Sequence, residues 1–204
     1  MEKKREIVVA SGNPGKLREF AQLFSPYRIT VLPQSAFAVP AVKETGSSFA
    51  ENALLKARHA ASYTRRPVIA DDSGIEVDIL NGEPGVYSAR YAGEGASDLE
   101  NLQLLLRNIA AAGVRDPAAR FHCVIAYVRG GDDAEPLLAQ GIWEGCITDK
   151  PAGENGFGYD PVFYVPSHGC TSAQLPPEVK NVISHRGQAL RRLVEIMNEV
   201  KALE

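Results

Sequence analysis

The chain has 204 residues, 45% of them apolar and 23% charged, a composition that excludes a disordered protein and suits one large domain or two small lobes sharing a sheet. A formal net charge of −3 gives no reason to expect binding to nucleic acid, and no apolar run reaches the roughly 18 residues of a membrane span. Cys123, Cys146 and Cys170 are odd in number and lack C-x-x-C spacing, which argues against a disulfide framework or a structural zinc site.

The charged start Met1 to Glu6 is followed by only four apolar residues, too few for the core of a signal peptide, so a mature cytoplasmic start is expected. Ile7 to Ala10 reads as a short buried strand running into Ser11-Gly12-Asn13-Pro14-Gly15-Lys16. Beyond Pro14, Leu17, Phe20, Ala21 and Phe24 make the apolar stripe of a helix. A second strand is expected near Arg28 to Leu32. Ser48-x-x-Glu51 has the form of a capping box opening a helix from Phe49 to Tyr63. Val68 to Ala70 is the next strand, Ser73-Gly74 is expected to turn the chain, and Ile75 to Leu80 continues extended. Ser97 or Asp98 caps a helix carrying Leu102, Leu105, Leu106 and Ile109. Phe121 to Val128 and Leu137 to Trp143 read as a hairpin around the turn-rich Arg129 to Asp133. Thr148 to Pro177 is expected to be irregular, and Ser184 to start a last helix with Leu190, Leu193, Val194, Met197 and Val200 on one face. The mixture predicts an α/β protein with a mixed sheet.

Several stretches have a composition suited to chemistry. Ser11 to Lys16 lies between a strand and a helix, where backbone N–H groups and a helix N-terminus can meet an anion and Lys16 adds a point charge. It is neither a P-loop nor a Rossmann fingerprint, and taken alone it reads equally well as a β–α turn with a solvated lysine. Asp71 and Asp72 are adjacent in an extended strand, so their side chains point to opposite faces. One can face a functional site while the other pairs on the far side, or both can simply end the strand. Glu44 and Asp72 are a possible pair of oxygen ligands for one hard cation. Asn52, Lys56 and His59 fall on one helical stripe. Phe157 and Tyr159 lie among glycines in Gly156-Phe157-Gly158-Tyr159-Asp160-Pro161, where a ring can serve as a stacking platform or pack into the core. His185 and Arg186 in the first turn of a helix oppose its dipole, a choice that suggests a ligand offsetting the cost.

S-G-N-P-G-K, K-E-T-G-x-S-F-x-E-N-A, A-D-D-S-G, P-G-V-Y-S-A-R-Y, G-F-G-Y-D-P and S-H-R-G-Q-A-L occur in one order from Ile7 to the last helix. In these the chain closely resembles the inosine/xanthosine triphosphate pyrophosphatases, which clear non-standard purine nucleotides from the nucleotide pool. The resemblance implies a long mixed sheet with flanking helices, forming two lobes around a central cleft within one domain. It also implies a homodimer that uses Mg²⁺ to cleave ITP, dITP or XTP to the monophosphate and pyrophosphate. Residue by residue, it implies that Ser11, Gly12, Asn13, Pro14, Gly15, Lys16 and Lys56 hold the triphosphate. Glu44 and Asp72 would serve the metal, with Asp72 also the proton acceptor. Ser73, Phe157, Gly158, Tyr159, Asp160, Lys180, His185 and Arg186 would contact substrate. Rival readings are a pyrophosphatase for other damaged nucleotides, as in the Maf-like fold group, and a non-catalytic nucleotide sensor, which would not need both acids.

Overall fold

The computed structural model describes residues 5–200 and residue 202, so Met1 to Lys4 of the charged start lie outside the described residues. In chain order the elements are β1 (Arg5–Val9), α1 (Pro14–Phe24), β2 (Ile29–Pro33), α2 (Phe49–Thr64), β3 (Val68–Val77), α3 (Asp98–Ala112), β4 (Ala118–Val128), β5 (Leu137–Ile147), β6 (Phe163–Val165), β7 (Cys170–Thr171), α4 (Pro177–Ile183) and α5 (His185–Glu199). The strands are hydrogen-bonded in the order β2-β1-β3-β4-β5-β6-β7. β1 pairs in parallel with β2 and β3, whereas β5/β6 and β6/β7 are antiparallel, so the sheet is mixed as the sequence predicts.

The chain forms two compact units, Met1–Asp72 with Cys123–Gly141 and Arg186–Glu204, and Ser73–His122 with Ile142–His185. In the first unit, strand alternation sorts side chains into two cores. Ile7, Val9, Ile69, Cys123, Ile125 and Tyr127 pack with Phe20 and Phe24 of α1 and with Ala189, Leu190, Leu193, Val194 and Met197 of α5. Their neighbours Val8, Val68, Ala70, Val124, Ala126 and Val128 pack instead with Ala53, Ala57, Ala60 and Ala61 of α2. A sheet covered by helices on both faces needs such continuous apolar strands. The small alanine face of α2 lets that helix lie close. The second unit has one core, in which Ile75, Val77, Phe121, Trp143 and Phe163 meet Leu102, Leu105 and Ile109 of α3. Between those strand residues come Glu76, Arg120 and Glu144, and Arg120 pairs with Asp78 at 2.8 Å and Glu144 at 3.3 Å.

Several expectations need correcting. β3 is one continuous strand of ten residues through Ser73 and Gly74, which does not turn there; Gly74 has no positive φ, and Asp78–Leu80 then forms a 3₁₀ turn. β2 starts after Arg28, which is left-handed (φ 56) and closes the turn Ser25–Tyr27. Ala21 is exposed and Leu23 packs against the core instead, while Val200 is 48% exposed. The stretch read as irregular contains β6 and β7, too short to show a period of two. It also ends in α4, opened by Pro177 at a first-turn position where proline is favoured. The last helix begins at His185 rather than Ser184. Ser48 accepts from the Glu51 amide at 3.2 Å, but the Glu51 carboxylate turns to the Ser47 amide at 2.7 Å, so only half of that capping box forms. Ser97, with Glu100, makes the complete one.

Candidate active site

The alternation that divides the first core also separates the two aspartates. Asp72 continues the register of Val68 and Ala70, whose face carries α2. There Lys56 Nζ donates to Asp72 Oδ1 at 2.8 Å and to Glu44 Oε1 at 2.6 Å, while Asn52 Nδ2 donates to Asp72 Oδ2 at 3.2 Å. Asn52 and Lys56 are one helical turn apart, which brings both to one carboxylate. Asn52 Oδ1 in turn accepts from the Gly46 amide at 2.8 Å and so fixes the loop that carries Glu44. A Cβ on Gly46 would sit 2.7 Å from that same oxygen, so the close approach requires glycine. His59, the third member of the stripe, is turned elsewhere and meets the Pro40 carbonyl at 2.9 Å.

Burial works to discharge Lys56, but the carboxylates of Asp72, Asp71 and Glu44 outweigh it and raise its pKa. At Asp72 burial prevails over the attraction of Lys56, Glu44 adds like-charge repulsion, and the carboxyl is pushed above the ordinary carboxylate range. An upward-shifted acid beside a held cation is the form a general base takes.

Asp71 continues the register of Ile69, on the face of α1 and α5. Its Oδ2 receives Lys16 Nζ at 3.0 Å and the Arg186 guanidinium at 3.1 and 3.3 Å, and Arg186 also pairs with Glu19 of α1. Arg186 is 2% exposed. Burial would lower its pKa, yet Asp71 and Glu19 raise it, so it stays charged. The cost of a cation in the first turn of α5 is therefore offset at least by two carboxylates of the protein. At the head of α1, Asn13 is the N-cap and its Oδ1 accepts from Gly15 N at 2.7 Å and Lys16 N at 3.1 Å. The Asn13 amide is bonded to Ser11 Oγ at 3.1 Å.

In the second unit, Asp160 is the centre of another cluster. Its Oδ2 accepts from Lys180 Nζ at 2.7 Å and Phe157 N at 2.8 Å, and its Oδ1 from Ser172 Oγ at 2.5 Å. The Lys180 ammonium lies 5.4 Å from the centre of the half-buried Phe157 ring. Tyr159 is buried and donates its hydroxyl to the Ser88 carbonyl at 2.7 Å, and Gly158 N donates to Asp98 Oδ2 at 2.8 Å. The His185 ring is stacked on Phe121, with centroids 4.7 Å apart and planes 10° apart. Ser73, half-buried, follows Asp72 within β3. Gly156 has φ +83, and a Cβ there would lie 2.1 Å from Asp160 Oδ2. Gly156→Ala is therefore expected to break the Asp160 cluster, which faster amide exchange at Phe157 would show.

The sequence from residue 7 to residue 196 matches the model of the Ham1 family. The chain belongs to the Ham1 family. Among relatives of this Ham1 chain, one from Vibrio cholerae named dITP/XTP pyrophosphatase is 53% identical over 96% of the chain and 98% of the relative. The solved Ham1 protein of Coxiella burnetii superposes with a TM-score of 0.86 at 52% identity, covering 96% of this chain and 99% of that one. A Mycobacterium abscessus structure, described as nucleoside-triphosphatase / dITP/XTP pyrophosphatase, gives 0.70 at 41% identity over 93% and 98%.

Within this Ham1 fold, the residues singled out from sequence gather into four groups: Lys16, Asp71 and Arg186; Glu44, Lys56 and Asp72; Phe157, Asp160 and Lys180; and His185 on its aromatic neighbour. Sequence reasoning missed Glu19, Asp98 and Ser172. Glu19 stands one turn after Lys16, a spacing that could have flagged it. Ser172 lies in a segment with no helical or strand period to place it.

Proposed function

We propose that this chain hydrolyses non-standard purine nucleoside triphosphates (ITP, dITP and XTP) to the monophosphate and pyrophosphate. The observation that carries the reading is the junction of Glu44 and Asp72 on the Lys56 ammonium, with Asp72 displaced toward a base's pKa. Two carboxylates gathered around one positive charge are hard oxygen donors that fit Mg²⁺, which takes one or two protein carboxylates together with substrate phosphates. Bound by Glu44 and Asp72, Mg²⁺ would neutralise phosphate charge and polarise the phosphoryl oxygens. Lys16 and Lys56 attract the triphosphate, and the Ser11–Lys16 loop receives it. Asp72 accepts the proton of the water that attacks the α-phosphorus. The bond from that phosphorus to the bridging oxygen breaks, and pyrophosphate leaves held by lysine. Asn52 keeps Asp72 oriented throughout.

For the base, Phe157 supplies a face, and Ser73, Lys180, His185 and Arg186 supply polar contacts. An arginine donates and never accepts, so a 6-keto purine suits Arg186 and the 6-amino group of adenine does not. Asp71 and Glu19 pair with the Arg186 guanidinium and restrict its movement. We further propose a homodimer acting in the cytoplasm; among the described residues, no helix is long and apolar enough to cross a membrane.

Purified protein with Mg²⁺ is expected to release pyrophosphate from ITP, dITP and XTP, with ATP and GTP much slower. Release of orthophosphate, or equal rates on ATP, would refute the assignment. Preference for a damaged pyrimidine triphosphate would transfer it to a different substrate class.

A further inference from the structure

The stretch P-G-V-Y-S-A-R-Y has no part in the reaction just described, yet it contains a buried serine bonded through both its hydroxyl and its carbonyl. Gly85–Arg90 forms a 3₁₀ turn in which Ser88 is 6% exposed. The Ser88 hydroxyl donates to the Gly85 carbonyl at 2.6 Å and accepts from the Ile75 amide of β3 at 2.9 Å. Its own carbonyl receives the Tyr159 hydroxyl at 2.7 Å. A side chain bonded at both ends to backbone fixes where that carbonyl points.

The carbonyl matters because of what Tyr159 belongs to. Each residue of the Phe157–Asp160 turn is tied down by a different group. Phe157 N is held by Asp160, Gly158 N by Asp98, the Tyr159 hydroxyl by Ser88, and Asp160 by Ser172 and Lys180. Tyr159 is 5% exposed, and burial raises its pKa further above neutrality, so it remains a donor. Its ring belongs to the same core as Val162 and Phe163, and its hydroxyl ends on the Ser88 carbonyl. Phe157, two residues before, is half-buried and borders Lys180. A shift of Tyr159 along its own axis moves the backbone that carries the Phe157 face.

We propose that Ser88 is a positioning residue for nucleobase recognition, acting through the Tyr159 hydroxyl to set the Phe157–Asp160 turn. The inference rests on the purine triphosphate reading and adds to it a specificity determinant outside the groups that touch substrate.

Tyr159→Phe removes the bond and keeps the ring, and Ser88→Ala frees the carbonyl without changing the backbone. Losing one such bond is expected to raise KM for ITP about 3- to 10-fold, with kcat within about twofold. The preference for ITP over ATP is expected to fall by a similar factor. Ser88→Thr, which restores a hydroxyl, should recover most of the preference. A variant that keeps the wild-type KM and preference overturns the proposal. So does one that loses thermal stability and kcat together at unchanged preference, the mark of a purely structural bond. The wild type measured alongside tests the substrate reading separately: if it leaves ITP intact, that reading fails. Amide exchange at Phe157 and Gly158 is then decisive. Faster exchange in Tyr159→Phe is the expected result, and unchanged exchange overturns the clamp itself.

Discussion

Asp72→Asn is expected to lower kcat between about 10²- and 10⁴-fold, the range for removing a general acid or base, while the protein still binds nucleotide. The substitution keeps the shape of the side chain, and its amide oxygen can still accept from Lys56, now 2.8 Å from Asp72 Oδ1. What disappears is the negative charge and the ability to take a proton. Pyrophosphate release measures the rate, and calorimetry with a non-hydrolysable analogue measures binding. A variant near full activity would remove Asp72 from the chemistry. The pH profile gives a second reading of the same group. Asp72 must be ionised to accept a proton, so kcat/KM should fall on the acid side as it is protonated. Burial raises the pH of that fall and Mg²⁺ on the same carboxylate would lower it, so raising the Mg²⁺ concentration should move the acid limb down. For stability the sign is opposite. A carboxyl raised on folding favours the folded state when protonated, and that contribution is lost as pH rises through its folded pKa. A site acid that weakens the fold at neutral pH is a common arrangement where function sets the residue.

Asp71 and Asp72 show what was legible in the sequence and what was not. Strand alternation alone predicts that they part, and the two clusters follow it, Lys56 and Asn52 on one face and Lys16 and Arg186 on the other. The apolar periods of α1, α3 and α5 were visible apart from Ala21 and Val200, because each helix buries one face. Partners far apart in sequence were not. Arg186 reaches Glu19 across 167 positions, and no local pattern in either helix announces the other. The carboxylates that pair with Arg186 at the turn of α5 could not be seen from that turn. β6 and β7 were missed for a simpler reason: strands of three and two residues carry too little alternation to stand out between Thr148 and Pro177. Ser73-Gly74 misled in the opposite direction, since a turn-forming pair stays extended when the strand around it is paired.

Arg186→Met is expected to cost about 3–5 kcal/mol of stability, the usual consequence of stranding buried charge by removing one partner. Methionine matches the apolar length of arginine, so packing in the α1–α5 core changes little and the loss is electrostatic. Asp71 is 2% exposed, and both it and Glu19 would lose the guanidinium that pairs with them. The urea midpoint measures the loss, with an unchanged slope showing that the same surface unfolds. A loss below about 1 kcal/mol, the scale of an exposed ion pair, would show that water screens the cluster. The companion variant separates charge from shape. Adding Asp71→Asn and Glu19→Gln to Arg186→Met replaces the stranded charges with neutral groups, and most of the lost stability should return. Catalysis should not return with it, because Lys16 would no longer have the Asp71 carboxylate to orient it and the guanidinium proposed to read the purine would be gone. Stability recovered without turnover would therefore assign the Asp71–Arg186–Glu19 group a functional reason for being charged, since a neutral cluster of the same shape holds the fold as well.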